Sequence, residues 1–98
     1  MAEPVAQAAP RRADAGIVNQ RGLHARAAAK FVTVAEKFDA TIDVTHAGMT
    51  VSGHSIMGLM MLGAGKGETI GIAASGPQAA PALEALVRLV GAGFDEDD

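Results

Sequence analysis

The chain has 98 residues, 49% of them hydrophobic and only 3% aromatic, with a formal net charge of −3 and no cysteine. That length holds one compact domain. The acidic balance and the lack of Trp and Tyr disfavour nucleic-acid binding, and the missing cysteines exclude disulfides and thiolate nucleophiles. No apolar stretch reaches the ~18–20 residues of a membrane span, and the Ala- and Pro-rich start is not ordered like a secretion signal. A cytoplasmic protein with no membrane insertion is expected.

Residues 1–12 lack periodicity and read as a flexible extension, leaving 13–98 as a single domain. Residues 13–18 are a strand candidate ending in Ile17 and Val18, followed by a loop with Gly22 as its turn residue. From Ala25 to about Lys37, the apolar residues Ala28, Phe31 or Val32, Ala35 and Phe38 recur at intervals of three and four and predict a helix. Residues 41–45 alternate as a half-buried strand, His46-Ala47-Gly48 turns the chain, and 49–52 returns as a hairpin. Ser55 opens the short apolar segment IMGLMML as an N-cap, since its hydroxyl can accept an unpaired helix N–H. Ile70 and Ile72 mark a strand over 68–74. Pro81 suits the first turn of a last helix with the stripe Leu83, Leu86 or Val87, Val90 and Phe94. The acidic residues 95–98 are expected to be solvated. The order β-α-β-β-α-β-α predicts an α+β fold, a four-stranded antiparallel sheet with three helices on one face.

His24 stands between a Gly-containing loop and a predicted helix start. A helix's first turn offers unpaired N–H groups and a partial positive charge, a setting that can receive a phosphate. Arg26 adds a fixed cation with several donors. A lone His at a helix start is more commonly a solvated or capping residue, so the residues alone leave both readings open. His46 and His54 are expected at the surface. Three histidines without helical pairing or carboxylate spacing make a weak metal signal, and no cofactor is implied. His54-Ser55 could suggest an activated hydroxyl of a small hydrolase, but adjacent residues do not face each other on a helix. Gly63-Ala64-Gly65-Lys66-Gly67 lacks phosphate-loop spacing and reads as a turn.

Two stretches carry a family likeness. GLHARAAAKFV resembles the active-site signature of the HPr family, the histidine phosphocarriers of the bacterial phosphotransferase system, and SGHSIMGLMMLGAGKG resembles that family's second signature. The likeness runs from about Ala13 to Phe94, and the ending GAGFDED is similar to nitrogen-type members. The resemblance implies an open-faced β-sandwich. It implies that His24 is phosphorylated on Nδ1 by enzyme I, with phosphoenolpyruvate as the original donor, that Arg26 assists, and that an EIIA-type protein is the acceptor. It makes the chain a carrier rather than a turnover enzyme, and a monomer is expected. By the same resemblance Ile56, Met57 and Met60 belong to an apolar patch that docks partners, and Ser55 is a site that a serine kinase could phosphorylate. The alternative is a regulatory binding module of the same fold, controlled through Ser55 and the Met57/Met60 face. One departure stands out: Ala27 replaces the proline usual after the arginine. Proline in a first turn costs little and stiffens the entry, so alanine is expected to lower precision around His24 rather than abolish its chemistry.

Overall fold

The computed structural model describes residues 10–96. Along the chain run β1 (Arg11–Gly16), α1 (Ala25–Ala35), β2 (Thr41–His46), β3 (Met49–Ser52), α2 (Ile56–Met61), β4 (Thr69–Ser75), α3 (Ala79–Gly91) and a 3-10 turn at Gly93–Asp95. The strands form one sheet in the order β1-β4-β2-β3, every neighbouring pair antiparallel. This is the predicted element order.

The sheet follows from period-two patterning. Ile42 and Val44 of β2, with Ile70, Ile72 and Ala74 of β4, are buried on one side, where the helices pack. Thr41, Asp43 and Thr45 leave the other side exposed. On the helical layer, Ala27, Ala28, Phe31 and Ala35 of α1 and Ala79, Ala82, Leu86 and Val90 of α3 complete the core. The alanines among them let both helices approach the sheet closely.

Several boundaries differ from the sequence expectation for local reasons. β1 begins at Arg11, inside the segment read as extension; residues 1–9 of that segment lie outside the described residues. Ile17 is past the strand yet still paired, donating to Glu68 O at 2.8 Å and accepting from Gly67 N–H at 2.8 Å. The β2–β3 turn is the two-residue pair Ala47-Gly48, both at positive φ, so His46 belongs to the ladder opposite Met49. Phe94 fills the core as expected, but not from the helix stripe. α3 stops at Gly91, and Phe94 reaches inward from the 3-10 turn in a left-handed conformation (φ 57°).

Gly53, just after β3, shows how tightly the layers meet. A Cβ there would lie 2.5 Å from Ile42 Cγ2 and 3.1 Å from Phe31 Cε1. Its backbone N–H donates to Ile42 O at 2.7 Å, which prevents retreat. Gly53→Ala is therefore expected to destabilise the fold by ~1–3 kcal/mol through overpacking. Urea denaturation checks this through a lower midpoint at an unchanged m-value.

Candidate functional site

His24 is the N-cap of α1, with extended backbone (φ −75°, ψ 179°). Its carbonyl accepts from Ala28 N–H at 2.8 Å, and its Nδ1 accepts from Arg26 N–H at 3.3 Å. The ring thus caps its own helix and holds Nδ1 at the opening of the first turn. The preceding loop fixes this placement. Gly22 lies at φ 64°, and a Cβ on it would sit 2.5 Å from Ala64 O. That close approach lets Leu23 N–H donate to Ala64 O at 3.0 Å, tying the start of α1 to the chain leaving α2. Asn19, buried in the loop, donates through Nδ2 to Gly22 O at 2.9 Å and closes it from within.

The other side of the ring meets the end of the chain. His24 Nε2–H donates to Glu96 Oε2, and Asn19 Nδ2 donates to Glu96 Oε1 at 3.0 Å. The side chains of His24 and Glu96 are only 15% and 12% exposed. The expectation of a solvated acidic end fails at Glu96, which is held by this polar pocket; Asp95 is exposed, and residues 97–98 lie outside the described residues. The approach of Glu96 was not legible in the sequence, because a turn with consecutive left-handed residues carries it there. The Arg26 side chain is exposed beside the helix start, while Ala27 is fully buried against the core.

Ser55 is the N-cap of α2, as predicted: its Oγ accepts from Gly58 N–H at 2.9 Å. Only Leu59 of α2 is buried, while Ile56, Met57, Met60 and Met61 are 42–70% exposed. The chain leaving this helix reaches Ala64, whose carbonyl holds Leu23 beside His24. That backbone bond, together with the packing of α1 on α2, links the imidazole's end of α1 to the helix that carries the apolar face.

The remaining histidines stand apart from this cluster. His46 is half-buried rather than a free surface residue. Its Nδ1 lies 3.0 Å from Leu62 O and its Nε2 3.2 Å from Glu68 Oε1, so it braces β2 against the loop after α2. His54 Nε2–H donates to Ala40 O at 3.2 Å, and its Nδ1 is 3.8 Å from Glu36 Oε2. That directs the His54 ring away from the Ser55 hydroxyl, which is spent on its cap, so no activated serine is assembled. Among the described residues no group of three His, Asp or Glu could hold a metal ion. None of the helices described is long and apolar enough to cross a membrane.

A family model described as "PTS HPr component phosphorylation site" matches residues 12–92. The chain belongs to the HPr family. Its HPr-family relatives include "Phosphocarrier protein HPr" of Pseudomonas putida, 48% identical over 83 residues, covering 84% of this chain and 92% of that protein. "Phosphocarrier protein NPr" of Shewanella violacea is 45% identical over 80 residues, covering 82% and 88%. Both names occur at near-equal identity, so the likeness does not separate the two types. Among solved HPr structures, HPr-C-His from Thermoanaerobacter tengcongensis superposes with a TM-score of 0.84 at 39% identity, covering 90% of this chain and 99% of that one. A second structure from that organism, titled an HPr dimer, has a TM-score of 0.70 at 42% identity. The open sheet with its three helices is the HPr fold.

Removing the cap of α2 tests the local reading of Ser55. Ser55→Ala is expected to cost ~0.5–2 kcal/mol, whereas Ser55→Asp, another good cap, keeps most of that stability. Thermal denaturation of the two variants side by side measures the difference.

Proposed function

We propose that this protein is a phosphocarrier whose His24 Nδ1 accepts a phosphoryl group from an enzyme I-type protein and delivers it to an EIIA-type protein. Phosphoenolpyruvate is the original donor. The observation that carries the reading is the position of Nδ1, facing the Arg26 N–H at the opening of α1. In the transfer, the Nδ1 lone pair forms a bond to phosphorus while the donor's bond to phosphorus breaks and its electron pair leaves with the donor. The oxygens of the bound group then face first-turn amides. Ala27 contributes an N–H that proline would lack, and the exposed Arg26 guanidinium adds charge-assisted donors. The helix-terminus contribution of ~0.3–1 kcal/mol is small enough to let the group move on.

The protein itself changes only by gaining and losing this group, so it is a carrier and not a turnover enzyme. It works as a monomer in the cytoplasm, where its partners' reservoir of phosphoenolpyruvate lies. Ile56, Met57 and Met60 form the docking face; unbranched, polarizable methionines adapt to partners of different shape. Complexes made through it are brief, because donor and acceptor take turns on one patch.

A second reading is favoured by the position of Ser55 at the edge of this face. A phosphate there would add roughly −1.5 to −2 charges beside the docking residues. A serine kinase acting on Ser55 would then turn the same fold into a regulatory module that excludes one partner and admits another.

With enzyme I and phosphoenolpyruvate, the wild-type protein is expected to gain one acid-labile phosphate and His24→Ala none. Equal labelling of both eliminates the carrier reading. Met57→Glu, on a side chain 70% exposed, is expected to raise the KM of enzyme I for this protein at least tenfold. Its folding stability should stay within ~0.5 kcal/mol of wild type. Steady-state kinetics and a denaturation curve on the same sample separate the two effects.

A further inference from the structure

The two nitrogens of His24 have unlike partners. Nδ1 accepts a backbone N–H, from Arg26 at 3.3 Å, while Nε2 faces the carboxylate of Glu96. A carboxylate accepts only, so the ring proton resides on Nε2 and the lone pair is left on Nδ1. We infer that Glu96 is a positioning residue for His24, holding the proton on Nε2 and balancing the positive charge that the ring gains when Nδ1 bonds to phosphorus. This inference rests on the carrier reading above.

The contact is built rather than incidental. Glu96 Oε1 accepts from Asn19 Nδ2 at 3.0 Å, and Asn19 is 1% exposed and also donates to Gly22 O. Asn19 Oδ1 is buried with no partner. Turning that amide over would satisfy neither end, since Oδ1 would then face the carboxylate and a carbonyl oxygen. The amide is thus fixed with its donors toward Glu96, at the expense of its own acceptor.

The backbone that delivers Glu96 is equally committed. Gly93, Phe94 and Asp95 all have φ near 60°, a region that side chains rarely adopt, and two of the three are not glycine. Phe94 is fully buried, and Lys30 Nζ donates to Phe94 O at 2.7 Å, pinning the turn to α1. Such strain persists where surrounding contacts over-determine it, and it clusters at functional sites.

The chemistry balances without an added reactant. When Nδ1 donates its lone pair to phosphorus, the donor's bond to phosphorus breaks and the pair departs with the donor. The ring, still protonated on Nε2, becomes cationic, and that charge rests against Glu96 on the side of the ring opposite the phosphoryl group. On delivery the P–N electron pair returns to Nδ1 and the ring is neutral again, with the Nε2 proton never released. This is the role that an orienting carboxylate plays behind a catalytic imidazole.

The test uses the full chain with Glu96→Ala and Glu96→Gln. Ring 15N shifts of His24 are recorded at about pH 8.5, well above the ordinary imidazole range. Rates of phosphorylation by enzyme I are measured on the same samples. Wild type is expected to show one tautomer, protonated on Nε2. Glu96→Ala should show averaged shifts and a kcat/KM lower by about tenfold, the size of effect seen when an orienting partner is lost. Glu96→Gln keeps one acceptor oxygen, for which Asn19 Nδ2 and His24 Nε2–H compete, and carries no charge. It should therefore recover only part of the Nε2-protonated population and only part of the rate, whereas a purely structural contact would leave the rate at the wild-type value. Wild-type shifts or a wild-type rate in Glu96→Ala overturns the proposal. If the wild-type protein takes no phosphate from enzyme I at all, the carrier reading fails, and the 15N shifts still decide where Glu96 places the proton.

Discussion

A single carbonyl, Ala64 O, sets the geometry on which the site depends. It accepts from Leu23 N–H at 3.0 Å, and the Cβ-free Gly22 lets the two chain segments come that close. Through it the loop before α1 and the chain leaving α2 become one rigid unit, so the imidazole and the methionine face keep a fixed relation. Without that bond the N-cap of α1 would keep its own helix, the Asn19 tie to Gly22 O and the Glu96 contact, but lose its link to the chain leaving α2.

The interactions around His24 are individually weak, and their weakness suits a relay. A long first-turn hydrogen bond to Nδ1 and a partial helix charge organise the ring, and in the proposed transfer they would not make a bound group too stable to leave. Strength is spent elsewhere, on the buried layer of Phe31, Ile42, Leu59, Ile70, Ile72 and Leu86 beneath the helices. Scaffold and site are thereby decoupled: packing of whole side chains sets stability, while a few polar contacts tune reactivity.

Most of the architecture was legible in the residues because the periodicities are clean. The alternation through Ile42–Val44 and Ile70–Ile72, the spacing through Ala28 and Phe31, and the Ser55 cap each name an element by themselves. His24 was legible as a position at a helix start, and the chemistry proposed for it comes from the family likeness. What could not be read was anything decided by chain reversal. The acidic end looks solvated in sequence, yet Gly93, Phe94 and Asp95 turn it back so that Glu96 meets the ring. Likewise His46 looks like a turn residue, but the two-residue hairpin at Ala47-Gly48 draws it into the ladder, within reach of Glu68. Local patterns announce local structure; contacts between distant segments need the folded path.

Among the described residues the sheet is covered on one side only, and this has a practical consequence. Thr41, Asp43 and Thr45, with Thr50 hydrogen-bonded across to Thr45 at 2.8 Å, line a bare polar surface behind the helices. Among the described residues, the contacts of His24 are made by the first turn of α1 and by Glu96, not by these strand residues. The bare surface is a natural handle: a dye, a tether or a solid support attached to that back wall would leave the working front of the molecule free to be watched in action.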